Sequence, residues 1–255
     1  MSRTHRAHLR AMPLVSIVIP AYNEVESLEA AIAEASAALE TVGDWEIVVV
    51  DDGSTDGTDA LARSLASDRV KVEVHPENRG KGAALRTGVA ASRAPVVGFT
   101  DADRPFDMEA LVRAYHRLVE TDADLVAGFR TNRERYSLRR RIYSGTYNRL
   151  VRALLGVPLD DVGFALKLMR RETFEAARLQ SDGGFADVEL IARAYRAGAK
   201  IERVGVEFTP REHGVSKMAG AASVAGILRD MALFRLGRLG GARRPRLAAT
   251  VGGSE

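Results

Sequence analysis

Two aspartates one residue apart, Asp101-Ala102-Asp103, follow the apolar run Val96-Val97-Gly98-Phe99-Thr100. Carboxylates at i and i+2 on an irregular strand exit can approach one cation, and such oxygen donors suit Mg2+ or Mn2+ held against a diphosphate. The alternative for a lone Asp-x-Asp is one helix cap and one solvated side chain. Two other apolar runs end in a similar way: Ser16-Ile17-Val18-Ile19 leads into Pro20-Ala21-Tyr22-Asn23-Glu24, and Val48-Val49-Val50 into Asp51-Asp52-Gly53-Ser54. Pro20 is expected to end its ladder, leaving Tyr22 and Glu24 to project from the strand end. Asp52 can accept hydrogen bonds from a nucleotide base or ribose, and Gly53 lets the chain turn close to a ligand. Capping of the next helix by Ser54 and Asp56 is compatible with that role.

Basic residues complement these carboxylates. Asn78-Arg79-Gly80-Lys81-Gly82 precedes a helical pattern, so backbone N–H groups and the Lys81 ammonium can meet phosphate at a helix N-terminus. It is not a P-loop, because the spacing is wrong and no Ser or Thr follows the lysine, and by itself it reads better as a solvated loop. Arg130, Arg133, Arg135, Arg139, Arg140 and Arg141 form a dense cluster suited to bidentate phosphate binding, or a solvated basic helix face.

Such side chains need a scaffold that brings them together. Residues 14–19, 46–50, 70–74, 96–100 and 125–128 read as strands, with 70–74 alternating and hence nearer a sheet edge. Residues 26–39, 58–66, 82–91 and 108–120 read as helices between them. Strand and helix alternate with short connections, which predicts an α/β fold with a mostly parallel sheet and right-handed crossovers. The carboxyl ends of its strands would line a ligand crevice. Beyond residue 128 the pattern changes to an arginine-rich helical stretch (130–153), a mixed segment (159–169), a helix (186–197) and a last strand (200–208). The expected organisation is one domain over 13–218, in two halves of different pattern, 13–128 and 129–218. A flexible extension (1–12) precedes it, and a C-terminal amphipathic helix (219–241) and a disordered tail (242–255) follow. Within that helix, Val224–Leu239 sets an apolar stripe against Arg229, Arg235 and Arg238, so it can lie in a membrane interface or pack on the domain.

Composition narrows the classes further. The chain has 255 residues, 46% of them hydrophobic, enough for a full core. It contains no cysteine, which excludes disulfides and thiolate metal sites and fits a cytoplasmic address. A net charge of +3 and the lack of basic–aromatic interleaving argue against a nucleic-acid partner. No run of about 18 apolar residues predicts a transmembrane helix, and no apolar segment follows Arg3, Arg6 and Arg10 as a secretory signal would require.

The order and spacing of the three strand-exit blocks resemble the nucleotide-diphospho-sugar glycosyltransferases of the GT-A fold. Within them the resemblance is to family 2 enzymes of the polyprenyl (dolichyl) phosphate mannose synthase type. Arg211-Glu212-His213-Gly214-Val215-Ser216-Lys217 resembles the Arg-x-x-Gly-x-Ser-Lys segment of the same synthases. The resemblance implies inverting transfer of a hexose, mannose from GDP-mannose, to a polyprenyl phosphate at the inner face of the cytoplasmic membrane. It places Pro20, Ala21, Tyr22, Glu24, Asp52, Lys81, Asp101, Ala102 and Asp103 around the donor, with Asp101 and Asp103 holding the divalent cation. Arg130, Arg140 and Ser144 would hold the acceptor phosphate, while Arg211 and Lys217 would contact phosphates during catalysis. Asp161 and Asp187 are candidates for a sugar contact or a catalytic base, whereas Glu189 reads as an ordinary helix residue. One departure stands out: these synthases commonly carry a metal-binding Gln two residues after the second aspartate, where this chain has Arg104-Pro105-Phe106. That departure supports the rival reading, a UDP-sugar donor with a hydroxyl acceptor, in which Asp161 or Asp187 is an essential base. A non-catalytic sugar-nucleotide-binding protein is the third reading.

Overall fold

The computed structural model describes residues 13–104, 106–132, 138–159, 161–208 and 221–239, excluding the side chains of 138–144, 146 and 221–224. The elements in chain order are β1 (Val15–Ala21), α1 (Leu28–Leu39), β2 (Trp45–Asp51), α2 (Thr58–Ser64), β3 (Val70–Val74), α3 (Lys81–Ala91), β4 (Val96–Phe99) and α4 (Glu109–Glu120). There follow β5 (Leu125–Arg130), α5 (Leu138–Leu155), β6 (Lys167–Arg170), α6 (Arg171–Ala177), α7 (Ala186–Arg196), β7 (Ile201–Val206) and α8 (Ala221–Arg235). The strands form one seven-stranded sheet in the order β3-β2-β1-β4-β6-β5-β7. All pairings are parallel except those of β6, which runs antiparallel between β4 and β5. This is the mostly parallel α/β architecture that the alternating pattern predicts, with β3 at an edge.

Helices cover both faces, which explains why the central strands are apolar throughout and do not alternate. On one face Val15, Ile17, Ile19, Ile47 and Val49 pack under α1, α2 and α4. On the other, Val18, Val48, Val50, Val97 and Phe99 pack under α3 and the helices α5 to α8. Each such aliphatic side chain, fully buried, contributes roughly 1.5–3 kcal/mol. At the amino end of the sheet, buried Glu46 is neutralised by Lys71 (2.9 Å) and accepts from Ser16 Oγ (2.7 Å), so this carboxylate belongs to the scaffold.

The chain leaves β1 for β2 on one side and later returns to β4 on the other. Beyond their carboxyl ends the connections therefore diverge and leave a crevice at this switch in strand order. Pro20 does not end β1, contrary to the expectation. The register continues through Pro20↔Val50 and Ala21↔Asp51. The carbonyls of Val18 and Ala21 bond Thr100 N and Asp52 N respectively, so Pro20 turns its N–H-less edge toward β4. Pairing there has already ceased at Val18↔Phe99, and the missing donor costs no ladder bond.

Two further boundaries differ from expectation. The short helix α6 was not foreseen. Helix α8 stops at Arg235, short of Leu239, because the chain turns at Gly237 and Arg238 N bonds Leu233 O (2.8 Å). Met231 and Phe234 are buried in the core, with the Phe234 ring 5.8 Å from that of Phe185. That apolar stripe therefore packs on the domain, while Leu228 and Leu236 remain exposed.

Candidate active site

Asp101 and Asp103 leave the carboxyl end of β4 next to the end of β1. Between them Ala102 is buried, and Phe106 just beyond is buried against Phe164 (5.4 Å between rings). These apolar anchors hold the turn so that the two aspartates stay at the crevice, partly exposed. Arg104, with φ +50°, closes the turn and pairs with Glu34 of α1 (2.6 Å). Among the described residues no group of three His, Cys, Asp or Glu could hold a metal ion. Two carboxylates nonetheless fit Mg2+ or Mn2+, since such ions are commonly bound by one or two carboxylates with water and substrate phosphates completing the shell.

Lys81, at the first position of α3, reaches across the crevice. Its Nζ lies 2.7 Å from Asp101 Oδ1 and 2.8 Å from Asp187 Oδ2. Asp187, in the first turn of α7, is held on its other oxygen by Lys167 Nζ at 2.7 Å. Lys167 lies in β6 with no exposed surface and also donates to Phe164 O (2.5 Å). Burial alone would raise the Asp187 carboxyl, but Lys167 and then Lys81 outweigh it and hold it below the usual carboxylate range. Burial would likewise lower Lys81, but Asp101 and Asp187 hold it above the usual lysine range. For Lys167 burial prevails and pushes the ammonium down, although Asp187 opposes it. Asp187 is thus a charged partner of two lysines, which is the opposite of what a poised general base needs. Lys167 itself escaped the sequence reading, though a lysine between Leu166 and Leu168-Met169 in a mostly buried run was a usable signal.

The Asp52 carboxylate is buried and both oxygens are engaged: His75 Nδ1 and Arg79 N reach Oδ1 (2.6 and 3.0 Å), and Gly80 N reaches Oδ2 (2.7 Å). His75 pairs through Nε2 with Thr87 Oγ1 (2.9 Å). Asp52 therefore clamps the 79–80 loop and sets where Lys81 begins. The neighbouring Asp51 accepts from Ser54 N (3.2 Å) through Oδ2, whereas its buried Oδ1 has no hydrogen bond. The β1 and β2 exits are tied together: Ser54 Oγ accepts from Asn23 N (2.9 Å), Asn23 Oδ1 from Thr55 N (2.8 Å) and Thr58 Oγ1 from Glu24 N (2.9 Å). Pro20 and Ala21 are the last residues of β1, and Tyr22 and Glu24 follow, half-buried, on this braced loop.

The glycines flanking Lys81 serve the protein's own backbone. A Cβ on Gly82 would sit 1.9 Å from Ser181 O, and one on Gly80 would sit 2.3 Å from Asp182 O. Gly82 N already donates to Asp182 O (2.9 Å), and buried Glu189 holds Ser181 N (2.7 Å). The segment before α7 thus occupies part of the α3 N-terminus that the sequence suggested for phosphate. Gly82→Ala is expected to lower the melting temperature by several degrees, because backbone must shift. Gly145→Ala, inside α5 with open space around its Cβ position, should instead raise it by a few degrees, since alanine is favoured over glycine in a helix by about 1 kcal/mol, a comparison that thermal denaturation settles.

Arg130 and Asp161, expected in separate roles, are brought together. Arg130 Nε and backbone N donate to Asp161 Oδ2 (2.8 and 2.9 Å), and Nη2 bonds Oδ1. The guanidinium lies 5.7 Å from the rings of both Phe164 and Phe208. Asp161 is buried, with φ +63°, and its N bonds Asn148 Oδ1 (3.3 Å). A carboxylate so enclosed has no room for an acceptor hydroxyl, and its arginine partner is committed to it. The pair braces the end of β5. Pro105, Arg211 and Lys217 lie outside the described residues, as do the side chains of Arg140 and Ser144.

Residues 16–177 match the family described as Glycosyl transferase family 2. The polyprenol monophosphomannose synthase of Mycolicibacterium smegmatis is 36% identical over 234 residues, covering 84% of each chain. The glycosyltransferase AglD of Haloferax volcanii is 33% identical over 77% of this chain, but the match spans only 33% of that longer protein. Among solved structures, glucosyl-3-phosphoglycerate synthase from Mycobacterium tuberculosis in complex with uridine diphosphate superposes with a TM-score of 0.68. That match has 22% identity and covers 88% of this chain and 80% of that one, so it establishes the shared GT-A fold.

Proposed function

The chain belongs to glycosyl transferase family 2, and from that premise we propose that it transfers a hexosyl group from a nucleoside diphosphate to a polyprenyl phosphate. Mannose carried on GDP is the donor this reading favours, in line with the named synthase relative. The observation that carries the acceptor assignment is the state of the inner carboxylates. Asp187 is neutralised by Lys81 and Lys167, and Asp161 by Arg130. A hydroxyl acceptor needs a base to take its proton, whereas a phosphate monoester, with a second pKa near 6, is already largely a dianion at neutral pH.

In this proposal the acceptor phosphate oxygen attacks the anomeric carbon. The bond from that carbon to the donor diphosphate breaks with its electron pair leaving on the diphosphate, so the configuration inverts. Asp101 and Asp103 would hold a divalent cation, Mg2+ or Mn2+, which when bound offsets the charge growing on the leaving group. Lys81 adds a fixed positive charge at the same place. Tyr22 and Glu24 flank the nucleoside, and Asp51 replaces Asp52 as the acceptor for it. Arg140, Ser144, Arg211 and Lys217 position phosphates. Among the described residues no helix is long and apolar enough to cross a membrane. The exposed Leu228 and Leu236 support peripheral contact with a membrane at its cytoplasmic face.

The test is transfer from GDP- and UDP-sugars with and without a polyprenyl phosphate. Lipid-dependent transfer is expected, and transfer only to a hydroxyl compound would overturn the acceptor assignment. In the same assay Arg211→Ala and Lys217→Ala should each lower turnover more than thermal stability. Variants that unfold readily yet keep normal kinetics where folded would make that segment structural.

A further inference from the structure

Lys167 stands out among the buried groups that the proposed reaction does not use. It is a lysine with no exposed surface, on the strand that runs antiparallel through the middle of the sheet. Burying an ammonium is expensive unless it is paired. Its partners are one carbonyl, Phe164 O, and one carboxylate oxygen, Asp187 Oδ1. The second oxygen of Asp187 is thereby left to Lys81, which in turn touches Asp101. Four charged groups, two of each sign, thus form an unbroken line from the core to the crevice.

We propose that Lys167 is a positioning residue that, through Asp187, aims the Lys81 ammonium at the donor diphosphate beside Asp101. The line works by dividing labour. Lys167 holds Asp187 from below, so its carboxylate cannot turn and take Lys81 inward. Lys81 is then suspended between two carboxylates from different elements, one on α7 and one at the β4 exit. The balance of charge matters equally. With Lys167 present the four groups sum to zero. Without it they carry a net negative charge at the place where a diphosphate anion must land.

The catalytic part of this inference rests on the proposed donor chemistry, so the test has a ligand-free arm. Lysine ammonium protons are visible by 15N-edited NMR only when hydrogen bonding slows their exchange, and the full chain should show such signals for Lys81 and Lys167. In Lys167→Met, of similar length but uncharged, the Lys81 signal should also be lost. A purely structural lysine would take only its own signal with it, and persistence of an unchanged Lys81 signal overturns the proposal. Should that variant not fold, Lys167→Gln, which keeps a donor for Phe164 O but loses the charge that holds Asp187, carries the same test with the same outcomes. The kinetic arm uses the sugar nucleotide found active. Lys167→Met should lower kcat/KM for it by about 10- to 100-fold, the usual scale for outer-shell supports, with a rise in KM. In a Lys81→Met background the same change should cost less than about twofold, because coupled residues are not additive. Equal losses in both backgrounds would overturn the proposal. If the NMR result holds while no GDP- or UDP-sugar is bound or turned over, the donor reading fails and the positioning of Lys81 stands.

Discussion

Asp103→Ala should leave a folded protein whose sugar transfer is about three orders of magnitude slower. The side chain sits on a turn fixed by other residues, the buried Ala102 and Phe106, so the fold does not depend on it. Transition-state stabilisation by a bound cation is worth several kcal/mol. At 1.36 kcal/mol per decade, losing about 4 kcal/mol is a roughly 10³-fold fall in turnover. The melting temperature should move by no more than about 2 °C, as for a partly exposed site outside the core. Excess EDTA should reproduce the loss in the wild-type protein and Mg2+ or Mn2+ should reverse it. A variant that keeps its turnover, or a wild-type enzyme indifferent to chelation, would remove Asp101 and Asp103 from the metal assignment.

Asp187→Asn should be the most destabilising of the site substitutions. It preserves shape but leaves Lys167, fully buried, and Lys81 facing an amide. Removing one partner of a buried ion pair typically costs about 3–5 kcal/mol. For a chain of this size that corresponds to a fall in Tm of roughly 6–20 °C. Adding Lys167→Met should recover much of that loss, since it removes the stranded charge; no recovery would mean that the cost lies elsewhere. The pH dependence has a definite sign. Asp187 in the folded protein is held below its ordinary value of 3.8. Its contribution is therefore fully present above that value and is lost as pH falls through the lower folded-state value. Below about pH 4 the wild-type protein should lose stability more steeply than Asp187→Asn, and parallel acid-denaturation curves would refute the ion-pair account.

Much of this protein is legible along the chain because it depends on local pattern. The strands β1, β2 and β4 are buried apolar runs rich in valine and isoleucine, and each gives way within a residue or two to acidic or turn-forming residues. That is enough to place Asp101, Asp103, Asp51 and Lys81 at one edge of a parallel sheet, since strand ends in such a sheet point the same way. The number and order of strands were not legible to the same degree. Strand β6 is four residues long and runs against its neighbours, and only pairing with β4 and β5 makes it a strand at all.

What each charged side chain does was decided by tertiary structure, for a physical reason: an ion takes the nearest partner that spares it desolvation. Asp52 and Asp51 are adjacent and chemically identical, yet His75 and the 79–80 backbone take the first, while the buried Oδ1 of the second keeps no hydrogen bond. Arg130 meets Asp161 only because β5 and the segment before β6 come together, and the pair then belongs to the scaffold. Lys81 was visible as a cation beside two glycines, but those glycines answer to Ser181 and Asp182, a hundred residues on. Lys167 gave no motif. Its role depends on Asp187 from a helix formed later in the chain, and that contact exists only once the sheet is closed over both.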